Sequence, residues 1–306
     1  MEDWTAEHAA GVPFPGRGLT WRRLEALAEV AGMDLSAGRL VEGHLDALAI
    51  LDEMGREPAG PGVYGVWAAR RPGELMAFPD GDGWWLQGAK PFCSGAGLLS
   101  RALVAADAPD GVRLFDLDVT DVVVVDGTWP AVGMAGSASS CVCWPGQELG
   151  VEASLGPPGA YTDRIGFWWG AVGVAACWWG GARALLQVVR ADLARGHPGA
   201  VELADLGAGW ATLEAAEAVL RLAATHIDAQ GHGDIDEARR TALLTRQAVH
   251  QACVDVLAAA GAAGGARPIC LDAEQSRRSA DLYAYLAQHH RGRDAAALGS
   301  LLVEEP

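Results

Sequence analysis

Phe92 and Ser94 stand two residues apart in Lys90-Pro91-Phe92-Cys93-Ser94-Gly95-Ala96. On one strand end they offer an apolar wall for a flat ring and a hydroxyl for a polar edge. His289-His290-Arg291 holds two imidazoles able to exchange protons near neutral pH. The same residues also suit a solvated helix end, where cationic side chains are favoured. Asp163 sits where a long apolar helix begins, so it reads either as a first-turn charge favoured by the dipole or as a base. Arg195, in Arg195-Gly196-His197-Pro198-Gly199, follows that helix and could grip an anion with a permanently charged, planar fork; Arg190 is a rival. Gly264-Gly265 would let a backbone come close to a ligand.

These residues need elements to hold them. Leu24, Leu27, Val30, Leu35, Leu40, Leu45, Leu48 and Leu51 recur at near-helical spacing, which predicts helix over 18–56, broken near Gly32–Ser36. Residues 56–62 read as a linker. Short apolar runs bounded by Asp, Gly or Pro follow: 63–69, 75–78, 84–86, 102–106, 112–116, 122–125 and 141–144. They predict a small antiparallel sheet domain, with a turn at Gly88-Ala89-Lys90. Helices are predicted over 161–194, with Thr162 as cap, then 200–229, 235–260 and 273–290, with a short one from Asp294. Short connections between long helices suggest an antiparallel bundle. The expected division is a helical segment 1–57, a β domain 58–155 and a helical bundle 156–306, an α+β fold. Trp168, Trp169, Trp178 and Trp179 lie on several sides of the first bundle helix, which predicts burial on more than one face.

Composition narrows the partners. The 306 residues carry 39 acidic and 23 basic side chains, a net charge of −16. That argues against nucleic acid or an anionic membrane as partner, since both need a cationic face. No leader or membrane-spanning run is read, so a cytoplasmic location is expected. The six cysteines include one close pair, Cys141 and Cys143, with no second pair to complete a zinc site; free thiols and no metal are expected.

The order of elements and several motifs resemble the acyl-CoA dehydrogenase family over nearly the whole chain. The hairpin through Lys90, Phe92 and Ser94 is similar to that family's flavin-facing hairpin. Gly133-Met134-x-x-Ser137-x-Ser139, Asp163-Arg164 with Gly173, and Gly264-Gly265 followed by Arg277-Arg278-x-x-Asp281 resemble later motifs in the same order. The resemblance implies FAD as cofactor, with Ser94 donating to it, Phe92 packing on its ring and Arg195, Gly264 and Gly265 near its pyrophosphate. Trp67 stands where the family has a small polar residue; it would stack on the ring or fill its place. Gly261 replaces a glutamine, and His289 falls where many members have the catalytic glutamate. Three functions follow from the resemblance. The first is desaturation of acyl-CoA or a carrier-bound acyl group with Asp163 as base. The second is a flavin monooxygenase of the same fold using His289 or His290. The third is a silent partner subunit. The resemblance also implies a homodimer or homotetramer, or pairing with a similar chain.

Overall fold

A computed structural model describes residues 7, 9, 11–60, 62–69, 71, 73–231 and 233–304. Pro61 of the expected linker and His232 of the expected Gly231–Gly233 turn lie outside the described residues. The chain is α+β as expected. It divides into two compact units: residues 1–12, 40–130 and 135–167 in one, and 13–39, 131–134 and 168–306 in the other.

Among the described residues, the first unit is built on one eight-stranded sheet. Its strands are β1 (Tyr64–Trp67), β2 (Leu75–Asp80), β3 (Gly83–Cys93), β4 (Arg101–Ala108), β5 (Gly111–Asp118), β6 (Val123–Val125), β7 (Ser140–Leu149) and β8 (Ser154–Leu155). The path runs β6-β7-β3-β2-β4-β5-β8, with β1 on β4. Most pairings are antiparallel, but β1 and β2 each pair with β4 in parallel. The sheet is therefore mixed where only antiparallel pairing was expected. The turn expected at Gly88-Ala89-Lys90 is also absent. β3 runs through it, with register shifts against β7 between Leu86 and Gly88 and between Lys90 and Cys93. Gly88 marks an irregularity inside a strand rather than its end: its φ is +129°, and a Cβ there would lie 2.0 Å from the Glu74 carbonyl oxygen.

Alternation gives the sheet two apolar faces. Trp67, Leu86, Val104, Phe115, Val142 and Trp144 share one core. Tyr64, Leu103, Ala105 and Leu114 face the other way. There they meet Ala47, Ile50 and Leu51 of the helix Leu35–Glu53.

The second unit is helical. With Thr20–Met33 as α1 and Leu35–Glu53 as α2, the later helices are α3 (Ile165–Ala194), α4 (Ala200–Gln230), α5 (Ile235–Gly264), α6 (Ala266–Leu271), α7 (Ala273–Ala287) and α8 (Arg291–Glu304). α3 starts four residues later than expected, because Thr162 lies in a turn, its N–H donating to the Gly159 carbonyl. α7 stops at Ala287, short of the expected His290. Asp272 caps α7 by accepting from the Glu274 and Gln275 N–H groups, and Asp234 caps α5.

α3 is long and apolar enough to cross a membrane, yet 72% of its most apolar stretch is buried inside the protein. It reads as a core helix. Trp169, Trp178 and Trp179 are each 5% exposed or less, and Trp179 Nε1–H donates to the Leu213 carbonyl. α1 crosses α3 at backbone contact: a Cβ on Gly180 would lie 2.1 Å from the Ala28 carbonyl oxygen. A Cβ on Gly207 of α4 would meet nothing within 4 Å. Gly180→Ala should therefore cost about 3 kcal/mol by overpacking. Gly207→Ala should gain roughly 0.5–1 kcal/mol from helix propensity. Urea unfolding of both variants checks this, and equal effects would contradict the crossing.

Candidate functional site

In the first unit, β3 ends at Cys93 and the chain folds onto the segment before β7. Gly95 N–H donates to the Ser137 carbonyl at 2.7 Å, and Ala96 N–H to the Ala138 carbonyl at 3.2 Å. The same two segments meet through their hydroxyls. Ser94 Oγ lies 3.0 Å from Ser139 Oγ, which lies 2.9 Å from Ser137 Oγ. Ser137 and Ser139 are buried, and Ser94 is half-buried. The result is a chain of three hydroxyls running from the interior to an accessible end. Each can turn its proton either way, so Ser94 can donate or accept outward.

Backbone strain flanks this chain. Phe92 and Ala138 hold φ of +59° and +43°, a region that is costly for residues with a Cβ. The strain places the Phe92 side chain outward, 50% exposed, although it is a large apolar group. Arg71 lies 5.9 Å from the ring centroid. Such strain persists only when the surroundings enforce it, and it concentrates at functional positions.

Trp67 turns into the sheet core, away from an exposed stacking position. Its ring is 1% exposed in the sheet core, 6.3 Å from Trp144 and edge-on to it. No face is left for a ligand to stack on. Its Nε1–H donates to the Ser94 carbonyl at 2.9 Å. The structure thus brings Trp67, Phe92 and Ser94 together, with Trp67 as a support beneath the loop. Ser137 and Ser139 were visible in sequence as motif residues, but the spacing gave no sign that they bond Ser94. Lys90 is buried beside the same strand, and its Nζ donates to the Ala105 carbonyl at 2.6 Å. Burial and the loss of water push the nearby Cys93 thiol well above its usual range.

Asp163 is exposed in the turn before α3 and accepts from the Thr162 hydroxyl at 2.9 Å. Its neighbour Arg164 bonds Glu53 at 3.0 Å.

The remaining expected residues lie in the second unit. Arg195 is exposed and paired with Asp192. Gly264 ends α5, and a Cβ there would lie 3.0 Å from Pro268 Cγ; its lack of a side chain serves packing. Gly265, at φ +64°, is the cap that stops α5. His290 is exposed at the start of α8.

His289 is buried in a cluster that sequence alone did not suggest. Arg246 Nη2 lies 3.2 Å from its Nδ1. Asp294 Oδ2 lies 3.5 Å from the same nitrogen, so Nδ1 faces a donor on one side and an acceptor on the other. The rings of His250 and Trp178 stand 4.7 Å and 5.4 Å from the His289 ring. His289 Nε2, His250 Nδ1 and Trp178 Nε1 are buried without a hydrogen-bond partner among the described residues. Burial first, then the Arg246 charge, pulls the His289 pKa down to about 4, against a smaller opposing pull from Asp294. Burial also lowers that of His250. Both are neutral at pH 7, so His289 is a hydrogen-bond donor there rather than a reservoir of acid. Among the described residues no group of His, Cys, Asp and Glu could hold a metal ion.

This architecture is the acyl-CoA dehydrogenase-like fold. It resembles the dibenzothiophene monooxygenase TdsC from Paenibacillus sp. A11-2, in its complex with FMN and indole. Identity is 21%, the match covers 98% of this chain and 86% of that one, and the TM-score is 0.83. It also resembles KijD3 bound to FMN and a dTDP-linked amino-keto sugar (22% identity, 93% and 79% covered, TM-score 0.81). A third similar structure is XiaF from Streptomyces sp. with FADH2 and glycerol (18%, 99% and 85%, TM-score 0.78). Neither a protein-family model nor a curated protein matches the sequence.

The depressed His289 pKa has a consequence for stability. The unfolded imidazole takes a proton near pH 6.5, while the folded one resists it until about 4. Lowering the pH through that window favours the unfolded chain, so stability is lost as pH falls. His289→Phe should show a shallower fall of the urea midpoint between pH 6.5 and 4 than the parent protein. Parallel curves would show that His289 does not carry this term.

Proposed function

We propose that the chain is a flavin-dependent monooxygenase. The observation that carries this reading is the strained hairpin end: an exposed Phe92 ring beside the Ser94 hydroxyl, backed by Ser139 and Ser137. A flat heteroaromatic with polar edges fits such a corner, the ring against Phe92 and an edge atom against Ser94. A bound flavin would supply the two-electron redox centre. Ser94 would orient it, with its proton direction set through Ser139, and Trp67 would hold the Ser94 backbone in place.

FMN suits the arrangement better than FAD. The residues expected for a dinucleotide tail are not prepared for one: Arg195 is engaged by Asp192, and Gly264 packs on Pro268. Three similar proteins are described with FMN or FADH2, and two are named as monooxygenases. Acyl desaturation has less support. It needs a carboxylate over the substrate carbon, and the candidate, Asp163, stands exposed in a surface turn bonded to Thr162. A homo-oligomer remains part of the proposal, as the resemblance implies.

Titration of the purified protein with FMN and FAD, followed by flavin fluorescence, tests the reading. FMN is expected to bind at least as tightly as FAD. Ser94→Ala should weaken it roughly fivefold or more, the worth of one hydrogen bond. Failure to bind either flavin would sink the proposal and favour the silent subunit. With flavin bound, anaerobic bleaching by acyl-CoA would favour desaturation instead.

A further inference from the structure

α4 and α5, of 31 and 30 residues, are joined by a short turn and pack along each other. Leu213, Leu220, Ala223 and Ile227 of α4 are buried. On its outward side Ala204, Ala208, Ala211, Ala215, Val219 and Leu222 recur every three or four residues and so share a face. None of the six is charged, and Leu222 is 57% exposed. A helix that is apolar on both sides is normally covered on both; here the outward side of α4 is open to solvent. α5 continues the face with Leu244, 40% exposed, Ala248 and Gln251. Between the two helices lies an open groove of about 500 Å³, lined by Ala211, Thr212 and Ala215 on one side and Ala248, Gln251 and Asp255 on the other.

The order of residues along α4 says what fits this face. Turned end for end about Ala215, the helix matches itself: Leu222 falls opposite Ala208, Val219 opposite Ala211 and His226 opposite Ala204. Each larger side chain meets an alanine, the self-complementarity that a two-fold contact requires. Gln251 lines the same groove as Ala215. The same turn about Gln251 sets Leu244 of α5 opposite Ala258, and Asp255 opposite Gln247 rather than a second acid. The chain carries a net charge of −16, so two copies repel over most of their surface, and a face poor in charge is where they can meet. Two helices of this length side by side present a face about 45 Å long and roughly 20 Å wide. That is on the order of 900 Å², against ~800 Å² per partner in a stable interface of standard size.

We propose that two copies of the chain pair through this face, α4 on α4 and α5 on α5, antiparallel about a two-fold axis at the level of Ala215 and Gln251. The inference rests on the homo-oligomer part of the proposed function and gives it a surface. It is independent of the flavin site, because every residue it uses belongs to the helical unit and none to the hairpin.

Sedimentation of the intact protein should give at least twice the 31.9 kDa mass of one chain. Ala215 is exposed, so a longer side chain there leaves the fold intact. Ala215→Glu sets two carboxylates against each other and should weaken the pairing about a hundredfold or more, splitting a dimer or halving a larger assembly. Ala215→Lys should do the same with two ammonium groups. Because the residue faces its own copy, mixing the two variants should restore the parent mass. A parent protein that stays monomeric up to its highest soluble concentration would overturn both this face and the homo-oligomer reading. An assembly unchanged by Ala215→Glu would overturn this face alone. Variants that stay apart when mixed would overturn the two-fold pairing and leave the face to a different protein. Flavin titration of the same samples is read apart from mass, so a parent that pairs without binding flavin supports this face and sinks only the flavin reading.

Discussion

The indole of Trp67 ties the sheet's core to the loop that follows β3. Its ring sits among Leu86, Val104 and Trp144, and its one donor reaches the Ser94 carbonyl. A buried indole N–H needs a partner, and the loop backbone supplies it. The geometry leaves little freedom around that bond. A Cβ on Gly65 would lie 3.0 Å from Trp67 Nε1 and 2.6 Å from Leu99. Leu99 in turn lies under Gly95, where a Cβ would come within 2.6 Å of it. The loop is thus held from inside by a ring and a leucine, and from the side by two backbone bonds to residues 137 and 138. The strained backbone at Phe92 and the aligned hydroxyls follow from that confinement. A Trp67→Phe change would keep the packing of most of the ring, yet leave the Ser94 carbonyl without its donor.

The helical unit is organised by a different constraint: too many aromatic rings on one helix to face a single core. α3 buries rings against α1, α4, α5 and the residues after α7. Trp21 lies 6.4 Å from Trp179, and Trp178 lies near His250, Tyr285 and His289. The aromatic shell dries the imidazole pair and keeps it neutral. Arg246 and Asp294 both lie against His289 Nδ1. A charged His289 in this place would face both burial and a guanidinium, which is why its pKa falls although Asp294 stands nearby.

Periodicity made the long helices legible, because three- and four-residue spacing of leucine and alanine is a direct image of a buried stripe. Alternation likewise revealed the strands. Pairing direction was not legible: nothing in the 64–67 run distinguishes a parallel partner from an antiparallel one. Gly88 read as a turn because a glycine inside a strand and a glycine in a turn look alike without the neighbouring chain. The motif Lys90–Ala96 led to Phe92 and Ser94, but the direction of Trp67 depended on register, where one residue decides which face a side chain takes. His250 carried no signal, since a single histidine among helical alanines has no partner until α5 is placed beside the end of α7. Gly264 illustrates the converse. A glycine pair suggests room for a ligand backbone, and here the room at Gly264 is taken by a proline four residues on.

Two buried aspartates are each engaged by an arginine. Asp116 receives two bonds from Arg101, at 3.0 and 2.8 Å. Asp281 receives Arg277 at 2.8 Å and the Met134 N–H at 2.6 Å. Each of these carboxylates is committed to a guanidinium through charge-assisted hydrogen bonds. These two groups fasten the fold: Asp281 holds Met134 at its strained φ of +60°, and Asp116 anchors the start of β4. The three serine hydroxyls and the neutral His289 imidazole are placed to orient a partner and to donate hydrogen bonds.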